Sequence, residues 1–359
     1  MKISRRQFME RTGIMLGGIA SGLPLSGYGD DLDNATRLLQ SNPSFDLHCH
    51  PGRFYTRGSP GYGGDDIVVR TVSEMRSGNL WGGFFSVVAD GPILVRNPEG
   101  IGVSRPFEPG EAWDLYQQQM SVLREFLDEL PASHALEAGD VRRLHEQNEI
   151  AAFVACEGAH FLEGRPERVE QIYEHGVRTL QIAHYAPDVI CDLQTQDPVH
   201  GGLSSVGKDV VQEMDRLGMV IDVAHASYST VLDVAEVSSN SLILSHSQLK
   251  WGDKQHPRML DPEHAKAVAT TGGVIGMWPS GFGNDNFQDF VDNTMRLIDL
   301  VGVEHVGLGT DMDSNYKPVF DSYKQLPDWT AGLLQKGLSE SDVSKVIGGN
   351  AMRVISLVV

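Results

Sequence analysis

Two histidines one residue apart, His48 and His50, close the short apolar run Phe45-Asp-Leu-His-Cys-His-Pro-Gly52. In an extended strand, residues i and i+2 point to the same side, so the two imidazoles aim at one point. Imidazole is the commonest metal-donating side chain, which makes the pair a candidate half of a metal site. Other apolar runs also finish on side chains that can hold metal: Glu157, His184, His225, His246 and Asp311. Neutral imidazoles around a bridging carboxylate can hold two divalent ions about 3.5–4 Å apart, and such a pair makes hydroxide available at neutral pH from a shared, bridging water. Glu157 is the natural bridge, because the fourth run ends on His184 and offers no lysine. His48 and His50 would then serve one ion, and His225 and His246 the other. A carboxylate off the metals can carry the proton to a leaving amine. The donors are imidazole and carboxylate, with no thiolate set at zinc-finger spacing, which favours two Zn2+ in a hydrolytic site.

These residues need a scaffold that brings strand ends together. Eight near-continuous apolar runs can be read, over residues 44–47, 83–88, 151–156, 178–183, 219–224, 242–245, 273–277 and 305–309. Continuous rather than alternating runs are expected of buried parallel strands. Amphipathic stretches lie between them. Ser204 or Ser205 can cap a helix carrying Val206, Val210, Met214 and Leu217, stopped by Gly218. Asp261-Pro262 opens another, and residues 287–300 form a third that ends at Gly302. Strand and helix alternating eight times predict a (β/α)8 barrel, with an open doubly wound sheet as the structural runner-up. No Gly-x-Gly-x-x-Gly turn follows the first run, which counts against the open sheet. Polar residues at the carboxyl ends of barrel strands are where such folds place their chemistry. Two long loops, 90–110 and 312–329, would shape the pocket on that face.

Composition narrows the class. There are 29 Lys+Arg against 48 Asp+Glu, a net charge of −19, which argues against nucleic acid or an anionic membrane surface as partner. Ser4-Arg-Arg-Gln-Phe-Met9 precedes the Gly-rich apolar stretch 13–25. This reads as a cleavable twin-arginine export signal over about residues 1–30, too short for a comfortable bilayer span. No other run reaches transmembrane length and no lipoprotein cysteine follows, so the expectation is a protein exported to the bacterial periplasm without a stable membrane anchor. Residues 31–359 are then one barrel domain. The three cysteines, Cys49, Cys156 and Cys191, cannot all pair within the chain, and Cys49 and Cys156 are best read as small residues packing strand ends.

The chain resembles the membrane (renal) dipeptidase family of zinc metallopeptidases, within the amidohydrolase-like barrels. The likeness runs through residues 45–52, 82–87, 156–160, 180–184, 200–203, 218–227, 245–247, 256–260, 272–276, 301–313 and 348–353. The order and spacing of these blocks make it specific. The resemblance implies a dipeptidase, often a homodimer, that uses a metal-bridging hydroxide. It implies that His48 and residue 50 bind one zinc, that Glu157 bridges, and that His225 and His246 bind the other. It also implies that His184 contacts substrate and polarises the scissile carbonyl, that Arg258 pairs with the terminal carboxylate, and that Asp311 is the acid/base. One position departs: the family usually carries Asp where this chain has His50, which leaves another divalent ion open at the His48/His50 site. A lactonase, deacetylase or N-acyl amino acid hydrolase activity on the same site is the alternative.

Overall fold

Apolar runs that would leave unpaired edges in an open sheet here close into a ring. The computed structural model describes residues 26–97 and 100–358. Its eight parallel barrel strands, in chain order, are β1 Phe45–Cys49, β2 Gly82–Val88, β3 Ile150–Glu157, β4 Val177–Gln181, β5 Val220–Asp222, β6 Ile243–Ser247, β7 Val274–Met277 and β8 Val306–Leu308. β2 pairs with both β1 and β3, and β8 pairs with β1 and β7, so the ring has no open edge. All eight expected runs become strands, with ends displaced by at most two residues. A short extra strand, Ala132–His134, lies along the start of β3 before β4 begins to pair there.

The helices form for the local reasons expected. The Ser204 hydroxyl accepts from the Gly207 N–H at 3.0 Å and opens the helix Ser205–Leu217. Its Val210, Val211 and Met214 are buried, and Gly218 ends it at a φ of 71°. Asn286 caps the helix Phe287–Val301 in the same way. The loop expected over 90–110 differs in one respect: Leu94–Asn97 and Gly100–Val103 pair as an antiparallel hairpin. The expected signal lies mostly outside the described residues, and residues 26–30 already belong to the helix Ser26–Ser41. Among the described residues no helix is long and apolar enough to cross a membrane. The three cysteines are buried and free.

The barrel interior is filled by Phe45, Leu47, Phe84, Phe153, Ala155, Val220, Ile243 and Val274, closed below by Val354 and Ile355 of the last helix. On β3 the inner positions Ala151, Phe153 and Ala155 alternate regularly up to Glu157. On β1 that rule would fail, because Phe45 and Leu47 point inward and strict alternation would turn His48 and His50 outward. From Asp46↔Gly83 to Cys49↔Phe85, β1 advances three residues while β2 advances two. This β-bulge resets the alternation and aims both histidines into the barrel mouth. β6 does the same before His246, moving from Leu244 to Ser247 while β7 moves from Ile275 to Met277. A bulge leaves N–H groups without a ladder partner. Two buried carboxylates take them: Asp46 accepts from His48 N–H at 3.0 Å, and Asp222 accepts from Ser245 N–H at 3.0 Å.

Candidate active site

Five histidines converge on one carboxylate. Glu157, the last residue of β3, places Oε1 3.3 Å from His48 Nε2, 3.5 Å from His225 Nε2 and 3.8 Å from His246 Nε2. Its Oε2 lies 3.2 Å from His50 Nε2, and His184 Nε2 stands 3.3 Å from Oε1. Two donor groups share the carboxylate: His48, His50 and Glu157, and Glu157, His225 and His246. All five of these side chains are buried. His225, at a φ of 66°, and Asp311, at 52°, take the left-handed backbone that non-glycine residues rarely adopt, each within three residues of a strand end. Strain of this kind costs on the order of 1 kcal/mol and is tolerated where it aims a side chain.

The donor chemistry fits a pair of divalent cations. His50 Nδ1 donates to the Ser86 carbonyl at 2.9 Å, which reserves Nε2 as the nitrogen that would face a metal. Burial works against the charged form of this ring, but the hydrogen bond to Glu157 and its charge raise it above the usual imidazole range. His48 Nδ1 meets the Ser86 hydroxyl at 3.3 Å, and His246 Nδ1 meets the Ser245 hydroxyl at 3.0 Å. The Nε2 atoms of His48 and His50 are 3.0 Å apart, and those of His225 and His246 are 3.1 Å apart. Two nitrogens on one tetrahedral zinc stand about 3.3 Å apart, given a Zn–N bond of about 2.0–2.1 Å. Burial lowers His48 to about 4 and holds His225 and His246 well below the usual imidazole range, so these rings are neutral donors at pH 7. Burial alone would raise Glu157, but the positive charge of His184 and hydrogen bonds from His225 and His48 reverse this and keep it ionised.

Two further side chains are poised for proton chemistry. Burial lifts Asp311 to about 7 against the opposing pull of His50. Its Oδ1 is 3.5 Å from His50 Nε2, and its Oδ2 accepts from the Trp278 indole N–H at 3.3 Å. His184 donates from Nδ1 to Asp90 Oδ1, and Asp90 also accepts the backbone N–H of Ala186 at 2.8 Å. Burial works against the charged form of His184, but Asp90 and then Glu157 outweigh it and push the ring up to about 9.

Arg258 stands beside this cluster, completely buried. Its Nη2 donates to the His246 carbonyl at 3.4 Å, Nη1 donates to Gln194 Oε1, and the Tyr185 hydroxyl shares the guanidinium. Its Cζ is 5.5 Å from the Trp278 ring centroid. Among the described residues no carboxylate forms an ion pair with it, and its Nε has no partner.

The structure thus gathers every residue singled out in the sequence: His48, His50, Glu157, His184, His225, His246, Arg258 and Asp311. Among the described residues, His160, His175, His200, His264 and His305 enter neither donor group. Asp90 and Trp278 were not anticipated. They follow β2 and β7, the two strand ends that had yielded no histidine or metal-binding carboxylate, and extending the strand-end search to every polar or aromatic residue would have found them. Asp46, Tyr185 and Gln194 carry no such signal.

Residues 32–358 match the family model described as membrane dipeptidase, peptidase family M19. The chain is similar to an uncharacterized dipeptidase of Schizosaccharomyces pombe, 30% identical over 295 residues that cover 79% of this chain and 71% of the relative. It is similar to dipeptidase verJ of Clonostachys rogersoniana, 26% identical over 345 residues, 92% of this chain and 87% of that one. Among solved structures, the probable dipeptidase PvdM of Pseudomonas aeruginosa superposes with a TM-score of 0.78 at 19% identity, covering 92% of this chain and 98% of that one. A metallopeptidase of Rhodobacter sphaeroides, liganded with a phosphinate mimic of the dipeptide L-Ala-D-Ala, superposes at 0.72 and 20% identity, covering 89% and 99%. At these identities the two structures bear on the fold alone.

Proposed function

The chain belongs to the membrane dipeptidase family, peptidase family M19, and from that premise we propose that it hydrolyses the amide bond of small dipeptides with two zinc ions held by His48, His50, Glu157, His225 and His246. That it is a metallopeptidase of dipeptidase type follows from the family. The zinc pair and the division of labour among side chains are the proposal. One observation carries it: a single ionised carboxylate, Glu157, belongs to both donor groups. The relatives named as dipeptidases, at 30% and 26% identity, support a dipeptide-sized substrate.

Zinc bound there supplies Lewis acidity, polarising the carbonyl and making hydroxide accessible near neutral pH. The remaining work falls to the chain's own residues. Arg258, a buried cation without a carboxylate partner, takes the terminal carboxylate, for which a planar guanidinium is suited. His184, held by Asp90 through Nδ1, presents its Nε2–H to the carbonyl oxygen as negative charge develops there. Asp311, near 7, takes the proton from the attacking water and returns it to the leaving amine nitrogen. The Trp278 N–H occupies Oδ2 and so leaves Oδ1 to accept that proton.

The test couples metal quantification to a substrate panel of L-L and L-D dipeptides, lactones and N-acyl amino acids. The expected result is two zinc ions per chain and turnover confined to dipeptides. Absence of dipeptide turnover with two zincs bound overturns the reading, and preferred turnover of lactones or N-acyl amino acids puts the alternative activity in its place.

A further inference from the structure

We infer that Gln194 is a specificity-determining residue, a neutral placeholder on the edge of Arg258 that yields it to a substrate carboxylate. The inference rests on the dipeptidase reading and names what reads the substrate's carboxyl end.

The backbone of this residue is pinned, and among the described residues its side chain is hydrogen-bonded to Arg258 alone. Gln194 N–H donates to the His225 carbonyl at 2.8 Å, and Leu193 pairs antiparallel with Ala226. The following loop is held separately, with Asp192 accepting the N–H groups of Val199 at 2.7 Å, His200 at 2.9 Å and Gly202 at 2.7 Å. Gln194 therefore rides on the segment that carries His225. From there its half-buried amide reaches the fully buried guanidinium, and Oε1 accepts from Nη1.

The chemistry of the acceptors decides what this contact can do. Gln194 Oε1, the His246 carbonyl and the Tyr185 hydroxyl are all neutral. They satisfy N–H groups of a buried cation without cancelling its charge, so the charge remains available to an anion. A hydrogen bond from guanidinium to carboxylate is roughly twice as strong as one to a neutral oxygen, so an arriving carboxylate displaces the amide. The guanidinium keeps a further unsatisfied donor, since Arg258 Nε is buried without a partner. An amide can also turn and donate from Nε2, which a carboxylate at this position cannot. Glutamate here would form an internal ion pair with Arg258 and compete with every substrate that carries a terminal carboxylate.

The test compares the zinc-loaded wild-type protein with Gln194→Glu and Gln194→Met on L-alanyl-L-alanine and on its carboxyl-terminal amide. For Gln194→Glu, KM for the free acid is expected to rise by roughly 30-fold or more with kcat nearly unchanged, while the amide changes less than about threefold. Gln194→Met keeps the bulk without the charge, and its KM for the acid is expected to stay within about tenfold of wild type. Equal losses in both variants, losses confined to kcat, or acid-to-amide discrimination as in wild type for Gln194→Glu would each overturn the inference while leaving the dipeptidase reading intact. Failure of the wild type, with two zincs bound, to turn over any dipeptide of the L-L and L-D panel overturns that reading, and the inference with it.

Discussion

The two histidine pairs that face Glu157 look alike in composition and differ in how they are held. His48 and His50 sit at the end of β1, and the far nitrogen of each ring meets Ser86, one through the hydroxyl and one through the carbonyl. In the other pair only His246 has such a partner, the Ser245 hydroxyl, while His225 Nδ1 is buried without one. His225 is positioned instead by a left-handed backbone turn three residues beyond β5. Behind each pair lies a buried carboxylate. Asp46 accepts from His48 N–H, Thr310 N–H, the Thr310 hydroxyl and the Tyr323 hydroxyl, whereas Asp222 accepts the backbone N–H groups of Ala224 and Ser245. Burial raises both, Asp46 to about 6 and Asp222, with fewer donors to oppose it, to about 7. Like donor sets can therefore differ in rigidity, because orientation comes from the atoms behind the ligands rather than from the ligands themselves.

The largest expected effect concerns what the pairs share. Glu157→Gln should lower activity by on the order of a thousandfold and weaken both ions together, read by metal quantification after dialysis. Loss from one pair alone would show that the carboxylate is not a common ligand. Next, chelator titration of the zinc-loaded protein should release the ion at His225 and His246 first. Ser86→Ala should weaken the ion at His48 and His50 by about tenfold and narrow the gap, since outer hydrogen-bond partners are worth 10–100-fold in affinity. A single midpoint for both ions in the wild type would break the comparison. The smallest effect is on stability. Asp222 titrates at about 7 in the folded protein, above its ordinary 3.8, so the fold favours its protonated form. That contribution is fully present below pH 4 and is lost as pH rises through 7, up to about 4 kcal/mol by linkage. In metal-free protein, Asp222→Asn should therefore match the wild type near pH 4 and exceed it at pH 8, measured by denaturant unfolding. An unchanged pH dependence would show that Asp222 is not the buried acid that limits the second pair.

Much of the site was legible because barrel chemistry collects at strand ends and metal ligands come from few residue types. His48, His50, Glu157, His184, His225, His246 and Asp311 each follow or close an apolar run, so a search of run ends returns them with no knowledge of the third dimension. Arg258 is different: it lies eleven residues beyond β6, and only the family resemblance pointed to it. Asp90, Tyr185 and Gln194 act through partners distant in sequence, His184 lying 94 residues from Asp90 and Arg258 lying 64 from Gln194. No local pattern encodes such pairs.

The sequence by itself determined the eight strands, their parallel order and the ligand types, because continuous apolar runs separated by capped helices have few other ways to bury themselves. It could not determine which way the ligands face. Period-two alternation continued from Phe45 and Leu47 sends His48 and His50 out of the barrel, and continued from Ile243 it sends His246 out as well. Only the pairing of β1 with β2 and of β6 with β7 introduces the extra residue that turns them inward. A bulge is a mismatch between two strands and is absent from either one alone, so the decisive step in building this site belongs to the tertiary structure.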